Sequence, residues 1–334
     1  MAQFSPTDPN LPPDAPRPLP RRQAARPAPR VGRPRFQPLD AAWIAVLCLV
    51  SLGVSAWLGD LAGRRLWGSL AAAGTVGTLY ALGWRARDRA AGVGSGLLLA
   101  LNPQFLFWAA YSPQSAAFGL LSALALFAFV AGSSLAALAL AMGAALVRPD
   151  GLLLGLLLLA LSFGQERKRA GYGALVFFVP LLAFEAGRHL TGYGPPRLPV
   201  FGLHGGVWQW LWTPASALLV WLLVPFCGEW GEPARRARWL PVVLWIGLSL
   251  LTASVCSLTT AEGMRLPLMA LLSVLAGGGL SRMLPTLAGE FPRPALRYAL
   301  AALAVLGLVT LHLRLEPPIP RPVSTSAGSV LRIR

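Results

Sequence analysis

The chain has 334 residues, 55% of them hydrophobic and only 13% charged, with a mean hydropathy of +0.58, whereas a soluble domain carries about 25% charged residues. This excludes a soluble enzyme and a disulfide scaffold. The formal net charge of +16 would suit a polyanion, but apolar blocks of roughly 15 to 20 residues match the length that crosses a ~30 Å hydrocarbon core, so the partner is a lipid bilayer and not nucleic acid.

Residues 1–40 hold 11 Pro, 7 Arg and 3 Asp. A segment so poor in aliphatic residues cannot bury enough surface to offset its chain entropy, which predicts a disordered Pro/Arg-rich cytoplasmic tail. It has no apolar stretch followed by a small-residue cleavage site, so no signal peptide is expected. From 41 to 313 the sequence predicts an all-α transmembrane bundle of about eleven spans. The spans are expected at 41–58, 67–83, 93–110, 116–132, 134–147, 151–163, 170–187, 207–226, 239–256, 266–281 and 298–313. Residues 314–334 form a short extracytoplasmic tail.

Of the 29 basic residues all but Lys168 are Arg, as a GC-rich coding bias would give. With the tail inside, 19 basic residues fall on the cytoplasmic side and 10 outside; without the two tails the count is 12 against 6. Loop bias of this kind sets orientation, so a multi-pass protein of the plasma (inner) membrane is expected, N-terminus cytoplasmic and C-terminus outside. Cys48, Cys227 and Cys256 have neither zinc nor disulfide spacing and read as packing residues.

The segment 133–163 fits either one long helix or two short spans broken at Arg148-Pro149-Asp150-Gly151. Two spans are favoured, because one would hold Arg148 and Asp150 near mid-membrane at a few kcal/mol each and would move the Glu166 to Arg169 loop outside.

With that topology, polar residues from five places collect at the outer face: Asp60; Tyr111 and Ser112; Arg148 and Asp150; Glu185, Arg188 and His189; Glu262 and Arg265. Ionisable groups retained in or near a bilayer are often functional. Plainer readings stand beside this one: Asp60 as a helix end, Arg148 to Gly151 as a turn, Arg265 as a snorkelling side chain. Trp208, Trp210 and Trp212 read as an interfacial aromatic belt, and His189 and His204 as isolated surface histidines.

The stretch from Leu79 to Leu161 carries Asn102-Pro103, the aromatic residues Phe105, Phe107 and Trp108, then Tyr111-Ser112, and later Arg148 and Gly151. It resembles membrane glycosyltransferases of the GT-C superfamily, in particular relatives of the second mannosyltransferase of GPI-anchor synthesis and their bacterial counterparts. Those proteins show Asn-Pro with aromatic residues, Tyr-Ser-Glu-Ser at a span end, and an Arg-x-x-Gly motif further along. Met264-Arg265-Leu266-Pro267 is similar to their Arg-containing step into a late helix. Here Pro113-Gln114 stands where the family has Glu, and the first outer loop is only about eight residues, Gly59 to Leu66, where the family has a long one bearing its catalytic acid.

The resemblance implies transfer of a sugar, mannose among the candidates, from a polyprenyl-phosphate carrier to an acceptor at the outer face. Asp60 is then the first candidate base, with Glu262 and Asp150 as alternatives, since a carboxylate must take the acceptor's proton. Arg148 and Arg265 would hold the lipid phosphate through charged, bidentate hydrogen bonds, while Tyr111 and Ser112 would contact substrate. No metal and no cofactor beyond the lipid-linked donor is expected. The shortened loop also fits an inactive membrane partner or scaffold subunit; a lipid or solute transporter fits less well, since no internal repeat is seen.

Overall fold

Residues 36–57, 64–191, 227, 231, 233–255 and 261–289 are described in the computed structural model. Among them the chain forms ten α-helices and no β-strand: α1 (Pro38–Trp57), α2 (Arg64–Ala86), α3 (Arg89–Ala100), α4 (Pro103–Tyr111), α5 (Pro113–Val130), α6 (Ser134–Val147), α7 (Asp150–Gln165), α8 (Arg167–Leu190), α9 (Pro233–Val255) and α10 (Ala261–Gly289).

Four of these, α1, α5, α8 and α10, are long and apolar enough to cross a bilayer, and the bent pair α3 and α4 gives a fifth if it counts as one span. This is the architecture of a multi-pass membrane protein, with fewer crossing helices than the eleven expected. The expected spans 207–226 and 298–313 lie outside the described residues. Those at 134–147 and 151–163 are α6 and α7, with 14 and 16 residues, about 21 and 24 Å long at 1.5 Å per residue and short of the ~30 Å core. Helix α2 has the length, 23 residues, but less apolar content. It packs against α1, α3, α4, α5 and α10, so protein covers the surface that lipid would otherwise touch.

Local chemistry sets the joints. Asp88 caps α3 by accepting from the Ala91 amide at 2.8 Å, and Asn102 caps α4 by accepting from Phe105 N at 2.9 Å. Pro103 cannot donate to the preceding turn and pushes Asn102 out of helical geometry, so the single span expected at 93–110 is two helices bent by 64°. After α5, Gly132 has φ +90; Ser133 N donates to Ala128 O and Gly132 N to Phe129 O, both at 2.9 Å. These are the two bonds of a Schellman ending, which needs a left-handed residue. Segment 133–163 is two helices, and the break falls at Arg148-Pro149. A side chain at Gly151 would strike the backbone of Ala144 and Ala145, so α7 turns back directly against the end of α6.

The helices define two ends. Asp40 of α1 meets Tyr80 of α2, and Cys48 of α1 donates to the Ala73 carbonyl at 3.2 Å, so α1 and α2 are antiparallel. Trp67, at the far end of α2, shares an open groove with Pro113, Gln114 and Val147. Asp40 and Arg89 therefore mark one end of the bundle, and Gln114 and Arg148 the other. Helix α10 is central, with 83% of its span buried against 22% for α1 and α8; α3 runs antiparallel to it, Asp88 reaching Ser281 and Ser95 reaching Val274.

The orientation expected from the basic residues, with the N-terminus cytoplasmic, has a direct test. In a chain whose own cysteines are replaced, Pro20→Cys should resist an impermeant thiol reagent in intact cells and react after permeabilisation. Labelling in intact cells would reverse the topology and move the Arg148 end to the cytoplasm.

Candidate functional site

Arg148 leaves α6 in an extended conformation, φ −148 and ψ 139, because Pro149 follows it. Its guanidinium then folds over the start of α7: Nη2 and Nε both lie 3.1 Å from Asp150 Oδ2. From the other side Nη1 donates to Ser115 Oγ at 3.0 Å, and Ser112 Oγ donates to the same oxygen at 2.8 Å. Phe118 lies under the guanidinium, 5.6 Å from its ring centroid, a cation–π distance. The ion pair is largely enclosed, with side-chain exposures of 12% for Arg148 and 6% for Asp150. An ion pair so withdrawn from water needs further hydrogen bonds to persist, and Ser115 supplies one.

Three of the residues singled out from sequence, Ser112, Arg148 and Asp150, thus form one cluster at the junction of α4, α5, α6 and α7. Tyr111 lies beside it in sequence and packs its ring on Phe107, centroids 4.3 Å apart, while Phe107 meets Trp108 edge-on. Gln114 donates to the Val147 carbonyl at 2.7 Å and so caps the end of α6. Beside the cluster a groove of about 890 Å³ opens between α2, α5 and α6, lined by Trp67, Leu70, Leu120, Leu121 and Leu146 among others. Its wall is almost wholly apolar.

Asp60 lies outside the described residues, as do His204 and the three tryptophans at 208, 210 and 212. Glu262 and Arg265 stand in the first two turns of α10, which begins at Ala261, just before its apolar stretch Leu266–Met283. Glu185 and Arg188, expected beyond the end of a span, are inside α8 and pair with each other at 3.1 Å. Among the described residues no group of three His, Cys, Asp or Glu could hold a metal ion.

A second polar cluster, at the opposite end, was not anticipated. Asp40 is fully buried, and its carboxylate accepts from Tyr80 Oη at 2.9 Å, from Arg89 Nε at 2.8 Å and Nη2 at 3.2 Å, and from the Gln37 amide at 2.8 Å. Arg89 also donates to Gln37 Oε1. From sequence Asp40 was counted in the tail; it is instead in the first turn of α1, joining that helix to α2 and α3. An acid at the head of the first apolar run was the only signal available.

The fold and these clusters define the class, a polytopic helical membrane protein with an ion pair at each end of its bundle. Comparison with known protein families, curated proteins and solved structures finds no match.

Proposed function

We propose that the protein is an integral membrane glycosyltransferase of the GT-C kind, transferring a hexose from a polyprenyl-phosphate carrier to an acceptor hydroxyl at the extracytoplasmic face. The observation that carries this reading is the meeting of Ser112, Ser115 and Arg148 beside an open apolar groove between α2, α5 and α6. A lipid phosphate presents the same two parts, an anionic head and an apolar chain. A guanidinium stays charged in such surroundings and offers a bidentate fork. In the reaction the acceptor oxygen attacks the anomeric carbon, the bond from that carbon to the phosphate oxygen breaks, and polyprenyl phosphate leaves with the electron pair. A carboxylate takes the acceptor's proton; Asp60 is the assigned base, with Glu262 and Asp150 behind it, and Arg265 is assigned to the phosphate with Arg148.

One observation favours a second reading, a membrane partner or scaffold without catalysis: Arg148 is already neutralised by Asp150, so a phosphate must displace that carboxylate. The two readings separate in proteoliposomes holding the full chain and polyprenyl-phosphate-linked mannose or glucose. The enzyme reading expects acceptor-dependent release of polyprenyl phosphate, lowered about 10²- to 10⁴-fold by Asp60→Asn and strongly by Arg148→Lys, which keeps the charge but loses the fork. If cells lacking the protein lose a surface glycan and both variants restore it in full, the scaffold reading stands and the enzyme reading falls.

A further inference from the structure

Ser51 and Ser55 on α1 and Ser69 on α2 are fully buried, and their hydroxyls have no hydrogen-bond partner. Helical periodicity applied to the register of α1 on α2 sets them on facing stripes. Asp40 and Tyr80 face each other across this interface at 2.9 Å. Ser51 is 11 residues beyond Asp40, and Ser69 is 11 residues before Tyr80. Eleven residues at 100° each make three turns within about 20°, a rise of about 16.5 Å. Because the helices are antiparallel, Ser51 and Ser69 return to the same facing positions at the same level, three turns along. Cys48, bonded to the Ala73 carbonyl, keeps this register between the two levels. Ser55 stands one turn further on the same stripe of α1.

At the first level a long carboxylate and a longer phenol bridge the interface directly. Two serines are far shorter, and their oxygens do not reach each other. A buried hydroxyl without a partner costs about 1–3 kcal/mol, and several facing one another form the polar, small site that an internal water needs, with two to four partners. We infer that Ser51, Ser69 and Ser55 bind an ordered water molecule within the α1/α2 interface, in the half of the bundle remote from Asp40. The water accepts from one serine, donates to the others, and joins two helices that at this level share no direct polar contact among these side chains.

The test uses the full chain in detergent and the sign of the thermal shift. If water bridges the serines, Ser69→Ala, which removes the α2 partner, lowers Tm by about 2–4 °C, Ser51→Ala lowers it as well, and the double variant falls by less than the sum of the two, because both substitutions act on one shared water. Ser122→Ala is the control: Ser122 is a buried, unpartnered serine on α5, and its loss should leave Tm unchanged or raise it. Rises or null shifts at 51 and 69, or falls that add in the double variant, overturn the inference. A density map that resolves ordered water gives a second reading, with a peak within hydrogen-bond distance of both Ser51 and Ser69 expected and an empty apolar contact there contradicting it.

Discussion

Arg148→Leu should destabilise the protein by about 3–5 kcal/mol, the loss found when one partner of a buried ion pair is removed and the other is left charged in a medium that cannot solvate it. Asp150, only 6% exposed, is the group that would be stranded. The double variant Arg148→Leu with Asp150→Leu should recover most of the loss, since replacing both members by apolar groups of similar size is often close to neutral. Thermal unfolding of the purified protein in detergent, followed by tryptophan fluorescence, measures both. A single variant as stable as the parent, or a double variant as unstable as the single, would show that the pair does not hold the α6/α7 turn. The double variant also separates structure from function: if it folds but supports no transfer from a lipid-linked sugar, the Arg148–Asp150 pair acts on substrate as well as on the hairpin.

An effect of comparable size is expected at the crossing of α3 and α10. A methyl at Gly277 would lie 2.5 Å from the Ser95 nitrogen and 2.7 Å from the Ala91 carbonyl oxygen, and would overlap the Ser95 hydroxyl. Two of these neighbours are backbone, which cannot swing aside. Ser95, which donates to Ala91 O at 2.6 Å, would be displaced as well. Overfilling a packed core costs about 1–3 kcal/mol and occasionally more. Gly277→Leu should reach or pass the top of that range, because α10 is the most enclosed of the spans and α3 would have to move away from it. Gly171→Ala on α8 provides the contrast, since nothing lies within 4 Å of its added methyl and the helix gains about 0.5–1 kcal/mol over glycine. The check is the fraction recovered as a single species after detergent extraction, together with Tm. If Gly277→Leu is recovered and melts like the parent, the helices do not touch at that point.

The sequence alone was informative where a single stretch of chain carries the whole cause. Apolar blocks with few charges determine helices in a bilayer, because every backbone polar group must be satisfied within its own segment. Arg148-Pro149-Asp150-Gly151 determined a break, since proline removes a donor and restricts its predecessor wherever the chain is placed. Asn102-Pro103 carries the same information: by composition the apolar run around it is one straight span, while the local chemistry of proline and an Asn cap bends it.

What depends on residues distant in sequence was decided by tertiary structure. Nothing in the neighbourhood of Asp40 announces Tyr80 or Arg89, 40 and 49 positions away, so a buried carboxylate that joins three helices was read as part of a tail. Ser115 is likewise an ordinary helix residue until α6 and α5 pack and Arg148 reaches it across 33 positions. The same holds for the modest apolar content of α2, whose composition follows from the neighbours that enclose it. Hydropathy reports the solvent a helix would prefer in isolation, and only packing determines whether lipid or protein meets its surface.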